Sequence, residues 1–346
     1  MPETITSISI DGHRFLINGN AINAGREWKG KSIDGLLFNS RMANAIIEDE
    51  NPSTQGTWAY ADGPFTAERN TREFIAALPL YHEHGLRAVA INLQGGSPQG
   101  YSWTQPWHIS GFQPDGSLKP AYAGRLDDVI TACDRLGMVV ILGLFYWQQS
   151  RILTDEAAVS NAVVQAVDFL VTRGARNVLL EIGNEVDLPF AHKNIAAPRC
   201  HELITLAQER STGKLNTPAR RLLVSASLAF PSPFTSNLMA VCDFLLPHGN
   251  SLHHPDGIRL QVMRNRTAPG YRGQPIIYNE DDHFDFDKPD NNMLAAIGEG
   301  ASWGYFDYRQ VREKYHDGFQ SLPVDWTISS PRKRGFFQLL KQITEA

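Results

Sequence analysis

Two stretches of this 346-residue chain share one pattern: "LLEIGNEVD" at 179–187 and "PIIYNEDDH" at 275–283 each run from apolar residues into Asn-Glu and a further acid. A carboxylate closing a buried-looking run costs free energy to keep there, so its presence asks for a purpose. One such Glu by itself reads most simply as a helix N-terminal acid or an ion-pair partner. Two of them facing one pocket are what glycosidic bond cleavage uses: one carboxylic acid protonates the leaving oxygen while the second carboxylate attacks or activates water. Glu185 and Glu280 are therefore the candidate catalytic pair.

The elements that must position them are short apolar runs, each reading as a strand buried on both faces. They are "RAVAINL" at 87–93, "MVVILGLF" at 138–145, "NVLLEIG" at 177–183, "RLLVSAS" at 221–227, "FLLP" at 244–247, "PIIYN" at 275–279 and "ASWGYFDY" at 301–308. At the beginning, "SISIDGHRFLINGNAINAG" alternates around the Asp11-Gly12 turn signal and is expected to continue as the first barrel strand. Helical patterns precede the second, third and fourth strands and end at Gly85, Gly137 and Gly174, as C-terminal glycines should. Later helices are expected around 196–211, 232–242, 255–265, 291–299 and 332–344.

This alternation predicts an α/β chain: a single (β/α)8 TIM barrel with an N-terminal β-hairpin, one catalytic domain over 1–346, residues 1–20 forming the hairpin and the approach to the barrel. The rival is an open doubly wound sheet, which lacks its phosphate turn here: "NLQGGSPQG" does not open directly into a helix. In such a barrel the active site gathers at the C-terminal strand ends, and both Asn-Glu pairs fall there, after the fourth and seventh strands.

On those residues, "GNE" at 183–185 and "YNE" at 278–280, the sequence resembles glycoside hydrolase clan A, the retaining (β/α)8 glycosidases, in the manner of family 5. The resemblance implies double-displacement hydrolysis of a β-linked oligo- or polysaccharide without a cofactor. By the same resemblance Glu185 is the acid/base, Glu280 the nucleophile and Asn184 the donor to a sugar 2-hydroxyl. Trp303 in "SWG" is the aromatic platform under the sugar, and His248 in "LLPHGN" is the histidine of a His-x-Tyr pattern. The chain departs from the pattern twice: Asn250 stands where the tyrosine would be, and Ala90 where many members carry a second-strand arginine. Both missing groups donate to the nucleophile. Another donor is needed to keep Glu280 ionised beside Asp281 and Asp282. Arg26 and Arg41 are the candidates, with a surface salt bridge as the alternative for each.

Aromatic residues cluster in the expected mouth loops, namely Tyr101, Trp103 and Trp107, and "FYWQQ" at 145–149. Their apolar faces and polar edges suit a sugar stack flanked by amides, with loop packing as the alternative. Trp147 and Gln148 are nearest a strand end and are the predicted sugar contacts, together with His248, Asn250 and Trp303.

A metal-dependent barrel hydrolase or isomerase is the competing reading, from "NEDDHFDFD" at 279–287 and "LHHPD" at 252–256. Asp281, Asp282, Asp285 and Asp287 lack the glycine and closing Glu of an EF-hand loop, and adjacent His253 and His254 tend to diverge, so no metal is expected. A sugar-binding barrel without turnover is a third reading, which the presence of both glutamates disfavours. A formal charge of −5 gives no footprint for polyanions, and "SSPRKRGFF" is too short a basic run to change that, so nucleic acid is not an expected partner. Nor is a membrane: no apolar run approaches the ~18 residues of a spanning helix. The beginning lacks a secretory layout, which makes the expectation a soluble, cytoplasmic chain, or a secreted one whose leader was removed. Cys133, Cys200 and Cys242 have no ligand-like spacing and read as reduced thiols. Sugar identity, linkage, endo or exo action and oligomeric state are not encoded in these motifs.

Overall fold

The computed structural model describes residues 5–309 and 313–345. Strand 1 is Asn39–Arg41, strand 2 Ala88–Asn92, strand 3 Val139–Phe145 and strand 4 Val178–Gly183. Strand 5 is Leu223–Ser225, continued at Ser227–Leu228; strand 6 is Leu246–Pro247, strand 7 the bridge-forming residues 276–277, and strand 8 Gly304–Tyr305. A parallel six-stranded sheet runs in the order 5-4-3-2-1-8. Ser227–Leu228 pairs in parallel with Leu246–Pro247, and the bridges Leu245 to Ile276 and Ile277 to Ser302 carry the ring from strand 6 through strand 7 to strand 8. The ring closes, which excludes the open doubly wound sheet.

Each strand is followed by a helix: α1 Ala67–Glu83, α2 Pro120–Arg135, α3 Glu156–Arg173, α4 Cys200–Ser211, α5 Ser236–Val241, α6 Pro255–Thr267, α7 Asn292–Gly298 and α8 Pro331–Glu345. The ends follow sequence chemistry. Thr66, Asp155 and Asn291 accept the orphan N–H groups of Arg69, Ala158 and Leu294 at the starts of α1, α3 and α7. Gly174 ends α3 in the left-handed region, at φ 71°. Among the described residues no helix is long and apolar enough to cross a membrane. The three cysteines are free and buried.

The first strand differs from expectation. The segment Ile8–Asp11, Arg14–Ile17 and Asn20–Ala21 forms a three-stranded antiparallel sheet and does not enter the barrel. Its apolar face, Ile8, Phe15 and Ile22, packs into the N-terminal end of the barrel against Leu37, Ala88, Val139, Leu179, Phe244 and Ile277. Barrel strand 1 comes instead from "LLFNSR" at 36–41, every residue of which is buried. The alternating hairpin buries only one face, whereas a barrel strand must be covered on both.

Period-two alternation places residues 39 and 41, 92, 143, 181, 225 and 279 on the same interior faces as the apolar residues below them. The interior is thus apolar at the plugged end and polar at the open end. Each fully buried Leu or Ile at the floor contributes ~1.5–3 kcal/mol, which offsets the desolvation of the polar layer above. That layer needs space. A Cβ on Gly143 would lie 2.6 Å from Asn92 Oδ1, and one on Gly304 would lie 2.1 Å from Asn39 Oδ1.

Candidate active site

Glu185 follows strand 4 with φ +58°, a left-handed conformation that costs a non-glycine residue roughly 1–2 kcal/mol. Strand 5 holds the turn: Ser227 Oγ accepts the Glu185 N–H at 2.9 Å, and the Ser227 carbonyl accepts that of Val186 at 2.9 Å. The turn carries the carboxylate toward His248, whose Nδ1 lies 3.0 Å from Glu185 Oε1 and 3.7 Å from Glu280 Oε2. A ligating oxygen on each glutamate and a His248 ring nitrogen lie within 4.8 Å of one another. Residues 95 positions apart in sequence therefore face one space.

Glu280 is 3% exposed and both of its oxygens are engaged. Arg41 Nε lies 2.5 Å from Oε2. Asn250 Nδ2 donates to Oε1 at 2.6 Å and the Tyr101 hydroxyl donates to Oε1 at 3.3 Å. Asn250 thus acts at the position where the resemblance expects tyrosine, and Arg41 of strand 1 does what a second-strand arginine would do. Tyr101, read from sequence as a stacking ring, brings a hydroxyl as well; its ring stacks on Tyr308 with centroids 3.9 Å apart. Arg26 sits in the turn that follows the plug, where its carbonyl accepts the Ile33 N–H.

Arg41 Nη2 also donates to Asn184 Oδ1 at 2.5 Å, which fixes the orientation of that buried amide. On its other side, Arg41 Nη1 is 3.8 Å from Glu181 Oε2, and Asn279 Nδ2 donates to that oxygen at 3.1 Å. Glu181 is fully buried in the middle of strand 4. The sequence signal for it is a lone charge inside "VLLEIG", at even spacing from Glu185.

These contacts separate the two carboxyl groups. Burial raises the pKa of Glu185 above the ordinary carboxylate value; the His248 hydrogen bond and charge oppose this, and Glu280 adds to it. Burial also pushes Glu280 upward, but Arg41, His248, Asn250 and Tyr101 outweigh it and hold the group below its ordinary value. His248 is buried, which lowers its pKa, yet Glu280 and Glu185 carry it above the usual histidine range. One carboxyl is disposed to hold a proton and the other to be ionised, as an acid and a nucleophile require.

The enclosed cavity at Glu280 is about 20 Å³, little more than one water needs, and is lined by Arg41, Tyr101, Tyr146 and Phe306 among others. Trp303 is not among its walls. It is fully buried, packed against Phe286, Tyr305 and Phe336, with its indole N–H donated to Asp281 Oδ2 at 2.9 Å. Trp303 therefore does not take the expected place under a ligand, and the ring at the cavity wall from this strand is Phe306, three residues on. Tyr278 faces outward, giving its hydroxyl to Gln261 of α6 at 2.8 Å, so Ile277 and Asn279 are the interior residues of strand 7.

Trp147 and Gln148 lie beside the cavity, not in it. Trp147 is nearly buried, donates to the Pro189 carbonyl at 3.1 Å and packs edge-on to Trp103 with centroids 4.8 Å apart. Gln148 lines a neighbouring groove with Trp103. Asp281, Asp282 and His283 form a second cluster with three ligand atoms within 4.8 Å. Asp281 is already saturated by Trp303, Asn292 and His283, and burial beside Asp281 raises Asp282 to about 7.

Comparison by sequence finds no family model and no curated protein that matches. Solved structures do match. A broad-specificity endoglucanase of glycoside hydrolase family 5 from Bacteroides salanitronis superposes with a TM-score of 0.56 at 12% identity, over 89% of this chain and 93% of that one. An endo-1,4-β-mannanase from Rhizomucor miehei gives 0.55 at 13% identity over 98% of both chains. An exo-β-1,4-mannosidase from Opitutaceae bacterium strain TAV5 gives 0.54 at 13%, over 94% of this chain and 62% of that one. The class defined by fold is the (β/α)8 barrel that family 5 glycoside hydrolases share.

Proposed function

We propose that this chain is a retaining glycoside hydrolase acting on a β-linked saccharide, within one catalytic unit and without a cofactor. The observation that carries this reading is that one carboxylate oxygen of Glu185 and one of Glu280 lie within 4.8 Å of each other across one space, with pKa values displaced in opposite directions. Carboxyl groups ~5–5.5 Å apart serve double displacement, whereas inversion needs ~6.5–9.5 Å to admit a water between them.

Glu280, ionised by Arg41 and its two donors, attacks the anomeric carbon as protonated Glu185 gives its proton to the leaving oxygen. The covalent glycosyl ester is then hydrolysed by a water that Glu185, now the base, deprotonates. Asn184, held by Arg41, donates to the sugar hydroxyl next to the anomeric carbon. Tyr101 lies over Glu280, so a sugar ring that reaches the nucleophile must displace the tyrosine or its loop.

The test is a panel of β-linked oligosaccharides and aryl β-glycosides with the product anomer followed by NMR. Retention is expected. Glu280→Gln should lose turnover on every substrate with its circular dichroism unchanged, and Glu185→Ala should keep substantial turnover only where the leaving group is strongly acidic. Inverted product, or turnover of natural glycosides by either variant at the parent rate, sinks the proposal.

A further inference from the structure

A groove of about 440 Å³ opens beside the catalytic cavity, between the loops that follow strands 2 and 3. The two share a wall: Gln105 of the groove donates to Ser97 Oγ of the cavity at 3.2 Å, and Tyr146 of the cavity lies two residues before Gln148 of the groove. Trp103 is 75% exposed, and its edge-on packing against Trp147 holds the ring upright. Gln105 and Gln148 supply amides along the walls. An upright aromatic ring with flanking amides is the surface that a hydroxylated sugar face recognises.

The groove's lining carries one guanidinium, Arg151, and one imidazole, His108. Both are exposed, neither side chain makes an ion pair among the described residues, and no carboxylate is among the lining groups. Two acids adjoin His108 through the backbone, and both are engaged: Asp49 accepts from Trp58 Nε1, the Thr54 hydroxyl and the backbone N–H groups of His108 and Asn51, and Glu50 pairs with Lys119. A second groove of about 560 Å³, adjoining the cavity through Pro98 and Gln99, is different. It carries Glu73 and Asp325 beside Tyr60. Two grooves thus flank the cavity, one lined by Arg151 and the other by Glu73 and Asp325, of which Glu73 pairs with Arg69.

We infer that the Trp103 groove is a subsite for an acidic sugar, a hexuronic acid unit or branch whose ring lies on Trp103 and whose carboxylate pairs with Arg151, with the His108 ring beside it. This rests on the reading of the chain as a glycosidase for its place in the reaction, but the binding itself needs no turnover. A guanidinium takes a carboxylate through two parallel hydrogen bonds, a geometry that neither a neutral sugar nor the acid-lined groove can reproduce. The Arg151 groove thereby selects acid-bearing chains and sets which way they run across Glu185 and Glu280.

The experiment titrates the full chain with methyl β-D-glucuronide and, separately, methyl β-D-glucoside at neutral pH, following the Trp indole resonances by NMR. The glucuronide is expected to saturate at millimolar concentration and the glucoside to bind about tenfold more weakly, the difference one charge-assisted contact makes. Arg151→Gln should bring the two affinities together, and Trp103→Ala should weaken both; both positions are exposed, and circular dichroism checks the fold. Equal affinities in the unchanged chain, no saturation by the glucuronide, or a preference that persists in Arg151→Gln would overturn the inference. Selective binding with no hydrolysis of any substrate would leave the subsite standing and remove the glycosidase reading. Hydrolysis without selectivity would do the reverse.

Discussion

Arg41 Nε lies 2.5 Å from Glu280 Oε2, and both side chains are at most 5% exposed. An ion pair this deep is expensive to form and more expensive to break, because the surviving charge is left in a poor solvent. Arg41 also touches Asn184 and faces Glu181, so one guanidinium orients three groups that the sequence scatters over strands 4 and 7.

Arg41→Met should therefore raise the Glu280 pKa and move the acid limb of kcat/KM toward neutral pH. Stability should fall by ~3–5 kcal/mol at neutral pH. The sign follows from linkage: the depressed native pKa of Glu280 contributes stability above its unfolded value of ~4.3, which is lost as pH falls through the native value. In the variant that contribution reverses, so the deficit in urea unfolding should be largest near neutral pH and shrink on acidification. An unchanged acid limb would show that Arg41 does not set the charge of Glu280.

The two donors to Glu280 Oε1 act in the same direction with unequal weight. Asn250 donates at 2.6 Å and Tyr101 at 3.3 Å, and each lowers the pKa of the acid. Asn250→Ala should shift the acid limb upward, and Tyr101→Phe should shift it upward by less. Full pH profiles of both variants check the order. A downward shift in either contradicts the donor assignment.

Barrel and pair were both legible in the sequence because apolar runs buried on both faces and a repeated Asn-Glu leave strong signals. Strand 1 was not. Its interior positions are Asn39 and Arg41, and a strand that contributes to a polar layer carries little apolar pattern to read. The hairpin was visible as a hairpin, but alternation cannot say whether its apolar face meets a helix or plugs a barrel. Trp303 shows the converse limit: a motif can match while burial alone decides whether a ring meets ligand or core. Tyr101 illustrates a further limit, since a loop residue's partner depends on where the loop folds back, and nothing local records that.

Trp303 and Phe306 should separate stability from binding. Trp303→Ala empties a fully buried site and strips Asp281 of a donor, at a cost of ~3–5 kcal/mol. Phe306→Ala should cost less in stability while raising KM for substrates that reach the cavity wall. Thermal unfolding and steady-state kinetics on the same preparations measure both. If Trp303→Ala keeps parental stability and only raises KM, the ring meets substrate and the buried arrangement is wrong.

Glu181 supplies the sharpest test of how the polar layer is balanced. It accepts from Asn279 at 3.1 Å and stands 3.8 Å from Arg41, with its other oxygen buried and without a partner among the described residues. Glu181→Gln keeps an acceptor and nearly the same shape but removes the negative charge that shares Arg41 with Glu280. Glu280 then has one fewer carboxylate competing for Arg41, so the acid limb should move to lower pH, opposite to the shift in Arg41→Met. Glu181→Leu keeps the volume but leaves Asn279 without its acceptor and should cost a further ~1–3 kcal/mol for the unpaired amide. Opposite shifts in the Arg41 and Glu181 variants, read from pH profiles at one ionic strength, would place both residues on one electrostatic circuit through Glu280; shifts of the same sign would break that circuit.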